Sequence, residues 1–494
     1  MGSIKTQSIY STIISYVGVV IGFVTAALIM PRVLATDQLG LIKLITAITG
    51  VFASVFSFGV GQLLFRTYPI FSKDSGKLGK LFFLSIKIAL FGALIGFPVY
   101  ILSAHELLNY SIKITDFEKT ELFIFAIFCV IVARLLYQSL FGYVRMLNQI
   151  VIDAIIQNIF LKGGLLVLIV FFYFEMISFS NLVYLNLALY LFFPIIIVGY
   201  LLRNKSLPKI RQKVRFTKSE IKEFVSLSLF GMLTTVGGSL YIYMDTLMVS
   251  YYLGEVEVGI YGTMFLFGVI VVVPARSLKS ISVSVLAKAF GEDRLEEVAT
   301  IYKKSSITLL IVGGYIFAGV WCNLYSVYGY LPEAFSNSAM IVFFIGIAQV
   351  IDMLTGVNNE IIAASKHYKL NTFFMIGAIA TGFVANIIFI PIYGVTGGAI
   401  ATFISITLIN IIRLIAVWKL FRIQPFSIHT LKVAVFLILL ILGISLLPNL
   451  DNYLLNLIYK GGLITLIYFP VIYKLNVSED INGIIDRVIG RFKG

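Results

Sequence analysis

The 494-residue chain is poor in charge, cysteine and histidine, and each scarcity excludes a class of protein. Asp, Glu, Lys and Arg make up 13% of it, about half the share of an ordinary soluble domain. No stretch is polar enough to form a soluble domain. The two cysteines, Cys129 and Cys322, fall inside apolar runs, where they read as small packing residues, with neither a disulfide framework nor a metal spacing. His105, His367 and His429 stand far apart near loops or helix ends and are expected to be solvated or interfacial. A glycine loop of the Walker type is missing. No ATP site, cofactor or metal is therefore expected.

What abounds is apolar sequence, 59% of the chain. Runs of about 20 apolar residues, enough to cross ~30 Å of hydrocarbon as a helix, recur from Ser8 to Tyr473. They predict an all-α integral membrane protein with about 14 transmembrane helices. The first run, near 8–30, is too long for a signal-peptide core and is read as a span. Among the others, 41–65, 258–283 and 338–357 are each read as one continuous helix. The only long hydrophilic stretch between spans, 203–222 (RNKSLPKIRQKVRFTKSEIK), carries eight basic residues and one Glu. It divides the chain into an N-terminal six-helix bundle (1–202), a basic cytoplasmic linker (203–222), a C-terminal six-helix bundle (223–418) and two extra helices with a cytoplasmic tail (419–494).

Short loops rich in Lys and Arg stay on the cytoplasmic side. With both termini cytoplasmic, the inner segments hold 27 basic residues and the outer loops three, Arg32, Lys113 and Lys119. One helix more or fewer would destroy that bias, so an even count is expected. The formal charge of +14 belongs to these loops and to anionic lipid rather than to nucleic acid. Leu34–Leu41 (LATDQLGL) and Leu253–Ile260 (LGEVEVGI) also match in Leu, aliphatic, Gly and aliphatic positions. The two bundles then read as parallel repeats, with substrate between them.

Asp245–Tyr261 (DTLMVSYYLGEVEVGIY) and Asn386–Thr402 (NIIFIPIYGVTGGAIAT) resemble motifs of the Wzx-type O-antigen and capsule flippases in the multidrug/oligosaccharidyl-lipid/polysaccharide exporter superfamily. Helix count and linker position extend the resemblance over the chain. In the second motif Pro391 and Gly394 are expected to end one helix and turn into the next. Gly397, Gly398, Ala399 and Ala401 give a small-residue packing face.

An ionisable group at membrane depth costs at least ~2.5–3.5 kcal/mol and needs a partner, water or a route to the interface. Lys43 and Lys460, near helix ends, are expected to snorkel, and Lys87, Lys279 and Arg413 have the same option. Arg134 and Lys162 flank the turn near Leu147 at equal depth, ~20 Å from it. They belong either to an ion-pair network including Asp153 or to a cavity facing an anion. Arg276 and Lys279, at i and i+3, share a helix face, and Arg66 ends the second helix at a similar inner level.

By the resemblance, Arg66, Arg276, Lys279, Arg134 and Lys162 are candidates for the diphosphate of a polyprenyl carrier, which arginine's planar fork suits. The first helix lacks any basic residue between Ser8 and Met30, unlike lipid II flippases. Asp245, Asn386 and Thr402 are by analogy the ion-coupling group for Na+ or H+. Asp352 and Glu360 are alternative proton carriers.

The resemblance implies a flippase, not an enzyme, that moves a lipid-linked oligosaccharide to the outer leaflet of the bacterial inner membrane. Membrane lipids are its surroundings, and polysaccharide polymerases or glycosyltransferases are possible partners. Two alternatives stay open, a drug or organic-cation exporter, which needs an acidic cavity, and a membrane glycosyltransferase or polymerase. For the latter the longest outer loop offers His105, Glu106, Asp116 and Glu118 in no recognisable arrangement.

Overall fold

The computed structural model describes residues 4–71, 75–111, 120–208 and 216–493. Among them there is no strand, and the apolar runs form helices long enough to cross a membrane. In chain order these are α1 (Ile9–Val33), α2 (Thr36–Phe56), α3 (Gly76–Ser103), α4 (Glu121–Met146), α5 (Val151–Tyr173), α6 (Phe179–Arg203), α7 (Lys218–Leu253) and α8 (Glu255–Val272). They continue as α9 (Leu295–Cys322), α10 (Ala339–Leu354 with Asn358–Ala364), α11 (Leu370–Tyr393), α12 (Val395–Phe421), α13 (Ile428–Ser445) and α14 (Tyr453–Leu475). Thirteen are continuous and the fourteenth, α10, is bent by 50° at its break. The expected even number is met once that pair counts as one span.

The chain divides into two compact units, Met1–Gly259 and Ile260–Gly494. The division falls inside α8 rather than at the basic linker, of which 209–215 lie outside the described residues, as does much of the outer loop at 112–119. The reason is packing, since α7 lies against α2 and α3. Its start is fixed by a capping box, with Thr217 Oγ1 accepting from Glu220 N at 3.2 Å and Glu220 Oε2 accepting from Thr217 N at 2.7 Å. Lys77 pairs with Glu220 Oε1 at 2.5 Å and ties this end of α7 to α3.

In the first unit, the span expected at 41–65 is two helices. α2 stops at Phe56 and a short helix, Val60–Phe71, follows a turn in which Phe58 and Gly59 have φ of 48° and 67°. A Cβ on Gly59 would lie 2.3 Å from the Met232 nitrogen of α7, and one on Gly92 of α3 would lie 2.0 Å from the Phe56 carbonyl. Neighbouring backbones thus occupy the space that a straight, side-chain-bearing helix would need. The first turn of α8 is pressed on α2 just as closely. A Cβ on Gly40 would sit 1.7 Å from the Glu255 carbonyl oxygen, and one on Gly259 2.0 Å from that of Thr36. These are the two glycines that the octapeptide match aligns. Lys43, expected to snorkel, instead donates to the Gly259 carbonyl at 3.1 Å.

In the second unit, α9 is the centre, with α10, α13 and α14 packed around Leu310, Phe317, Met353, Leu437 and Tyr468. Tyr468 Oη donates to the Ile311 carbonyl at 2.7 Å. Lys460, also expected to snorkel, is buried and donates to Asn449 Oδ1 at 2.7 Å. The run expected at 258–283 breaks after Val272, and Pro274 caps a new helix, Ala275–Gly291. Pro391 lies inside α11, which reaches Tyr393, and Gly394, φ 58°, alone makes the turn into α12. A Cβ on Gly397 would sit 2.0 Å from the Phe389 carbonyl, so the expected small-residue face does pack closely. The tail forms an amphipathic helix, Glu479–Lys493, held by Lys304 to Glu479 at 3.0 Å and Tyr473 to Asp486 at 2.8 Å.

Candidate functional site

Arg134 projects from the middle of α4, where burial demands compensation for its charge. Its guanidinium carbon lies 4.4 Å from the centroid of the Tyr190 ring of α6, within the range of a cation–π contact. The side chain is partly buried, Nε is buried with no hydrogen-bond partner, and no carboxylate among the described residues lies within 4 Å. Gly50 of α2 makes the room. A Cβ there would be 2.5 Å from the Tyr243 ring of α7 and 3.2 Å from Arg134 Nη1. α2, α4, α6 and α7 thus bring a guanidinium and two tyrosines to one place.

Asp153 belongs elsewhere. Its Oδ1 accepts from Tyr137 Oη, which also receives Gln157 Nε2 at 3.1 Å. Lys162 donates to Asn158 Oδ1 at 3.0 Å, and its stem packs over Gly22 of α1. An ion-pair network joining Asp153 to Arg134 and Lys162 is not what the described contacts show. Asn158 sits in a π-helical turn, Ile155–Phe160, a distortion common at functional positions. A second such turn, Val24–Ile29, interrupts α1 and buries Thr25.

The other candidates are distributed along both units. Arg66 is exposed on the helix Val60–Phe71, and Arg276 is exposed in the first turn of Ala275–Gly291. Lys279, one turn on, pairs with Asp352 of α10 at 2.5 Å. Asp245 is partly buried on α7 in the first unit. In the second, Asn386 is fully buried on α11 and Thr402 partly buried on α12.

Sequence reasoning missed Tyr190 and Tyr243, which lie among 27 tyrosines with no local mark. It also missed the helix breaks, although Gly59, Pro274 and Gly356 stand at them as the usual signal.

Solved structures of the same fold are membrane transporters. The inward closed conformation of the lipid II flippase MurJ aligns with a TM-score of 0.68 at 16% identity, over 95% of this chain and 99% of that one. An inward-facing multidrug resistance MATE family transporter of the MOP superfamily aligns at 0.60 and 12%, over 83% and 94%. A MOP superfamily transporter from Pyrococcus furiosus, described as having a binding pocket of reverse polarity, aligns at 0.54 and 15%, over 85% and 96%. The chain is thus a multi-pass membrane protein with the fold shared by MurJ and the MATE transporters. It belongs to the polysaccharide biosynthesis protein family, whose sequence pattern matches residues 4–292. That match contains the motif at 245–261 and stops short of the one at 386–402. No curated protein matches the sequence.

Proposed function

We propose that the protein is a flippase that carries a polyprenyl-diphosphate-linked oligosaccharide from the cytoplasmic to the outer leaflet by ion-coupled alternating access. The observation that carries this reading is Arg134, a partly buried guanidinium at the middle of a span, held by an aromatic face and, among the described residues, by no carboxylate. A cation kept in that state is available to a diphosphate, whose oxygens can use both edges of the fork. Arg66, Arg276, Lys162 and Lys279 are the further cations along the substrate's route. Membership of the polysaccharide biosynthesis family supports a sugar-bearing cargo, and the transporter fold supports movement across the membrane rather than bond-making. On this reading it is not an enzyme, and it works beside the polymerases or glycosyltransferases that use its cargo. It sits in the bacterial inner membrane with both termini cytoplasmic.

Asp245, Asn386 and Thr402 are the proposed coupling group for Na+ or H+. An inside-negative potential adds about 2.3 kcal/mol per charge per 100 mV to outward movement of an anionic headgroup. The test is reconstitution with a fluorescent polyprenyl-diphosphate oligosaccharide, following its transfer between leaflets with and without an ion gradient. Gradient-dependent transfer that Arg134→Ala abolishes is expected. Equal transfer by wild type, variant and empty vesicles overturns the reading.

A further inference from the structure

The break in α10 has a carboxylate on each side, Asp352 before it and Glu360 after it, with Gly356 at φ 64° between them. Their surroundings differ. Asp352 Oδ2 receives Lys279 Nζ at 2.5 Å, and its Oδ1 receives Asn410 Nδ2 of α12 at 3.2 Å. Asn410 Oδ1 in turn accepts from Thr355 Oγ1 at 3.0 Å and Asn358 Nδ2 at 3.1 Å. Asp352 is therefore satisfied as an anion.

Glu360 is 7% exposed. One oxygen, Oε1, accepts from Asn359 Nδ2 at 3.2 Å, and Oε2 is buried without a hydrogen-bond partner among the described residues. The segment Asn358–Ala364 packs against Ala275–Gly291, α11 and α12. The titratable groups these elements and α10 carry are Arg276, Lys279, Lys288, Asp352, Tyr393, Arg413 and Lys419. Of these, Asp352 and its partner Lys279 are joined to the Glu360 segment by hydrogen bonds, since Asn410 links Asp352 to Asn358, two residues before Glu360. Two acids and one lysine thus belong to one hydrogen-bonded stretch of a membrane unit, and ionising both acids would leave a net negative charge where charge is costly.

Something positive must balance it. A metal cation would need several open oxygen ligands, but both Asp352 oxygens and Asn410 Oδ1 are already taken by donors, while Asn358 and Thr355 point hydrogens inward. Among the described residues no group of three acidic, histidine or cysteine side chains gathers to hold an ion. A proton needs only one oxygen, and Oε2 is bare.

We infer that Glu360 is a proton-binding site, neutral while Lys279 pairs with Asp352, and that the two acids share this one proton. When the proton passes to Asp352, Glu360 becomes the anion and takes Lys279 across the break. Charge is conserved, no covalent bond other than the O–H changes, and the lysine clamps whichever side of the bend has lost the proton.

Infrared spectroscopy of the purified full-length protein, with no substrate, tests it. A carboxylic-acid carbonyl band that shifts in heavy water is expected in the wild type at neutral pH, unchanged by sodium chloride. It should vanish in Glu360→Gln, which keeps size and shape. It should vanish also in Asp352→Asn, where Lys279 is left to Glu360 alone. A band missing from the wild type, retained by Glu360→Gln, or removed by sodium overturns the site. Retention in Asp352→Asn overturns the sharing.

Discussion

Arg134 and Tyr190 meet as cation and π face, 4.4 Å from guanidinium carbon to ring centroid. Such a contact contributes up to about 2 kcal/mol when desolvated, against an insertion cost of at least ~2.5–3.5 kcal/mol for the charge. Tyrosine thus offsets part of the penalty without neutralising the cation, which is the condition for binding an anion there. Arg134→Ala should lower flipping at least ten-fold with expression intact. Tyr190→Phe, which keeps the ring, should stay within about two-fold, and Tyr190→Leu should lose about ten-fold, consistent with ~1.4 kcal/mol. Initial rates in proteoliposomes check all three.

Arg66→Ala and Arg276→Ala should each abolish export while leaving folding and insertion unchanged, since both side chains are exposed and hold no described core contact. Complementation of polysaccharide export, with membrane levels measured in parallel, decides the matter. Normal export by both would remove them from the substrate's route.

For the proposed coupling group, Asp245→Asn, Asn386→Ala and Thr402→Val are each expected to leave headgroup binding in place and remove the dependence of transport on an imposed gradient. The comparison is transport with a sodium or a proton gradient against none. A variant as gradient-sensitive as wild type removes that residue from the group.

The backbone crossing at Gly40 and Gly259 predicts a stability effect separable from transport. Gly40→Val and Gly259→Val each force a side chain against a carbonyl oxygen, so each should destabilise by about 3 kcal/mol or more. Gly377→Ala and Gly443→Ala, where a Cβ would meet nothing within 4 Å, should be neutral or stabilising by about 0.5–1 kcal/mol. Thermal unfolding in detergent gives the comparison.

Lys279→Met should destabilise by about 1–3 kcal/mol, because it leaves the partly buried Asp352 an anion without its cation. The double variant Lys279→Met with Asp352→Leu should recover most of that loss. Denaturation midpoints of the singles and the double form the required cycle.

Helix number was legible because each span is a long apolar run whose length the bilayer sets. The breaks were not, because apolar composition continues through SFGVG and VVVPAR and outweighs the single Gly59 and Pro274 that mark them. Likewise, the positions of Arg134 and Lys279 within spans marked them as needing compensation. Their partners, Tyr190 and Asp352, lie on other helices, and no local pattern names them. Lys43 and Lys460 mark the limit of end-of-helix reasoning, since a carbonyl and an asparagine side chain hold them inside instead.

The turn at Phe58–Gly59 bears on how the chain is assembled during synthesis. While the second apolar run is entering the bilayer, α7 does not yet exist, and nothing is there to receive the bent backbone. The close approach of Gly59 to Ser228 and Met232 can form only once α7 arrives beside it. Until then the first unit awaits a late partner, so a ribosome stalled before α7 would leave its packing unfinished.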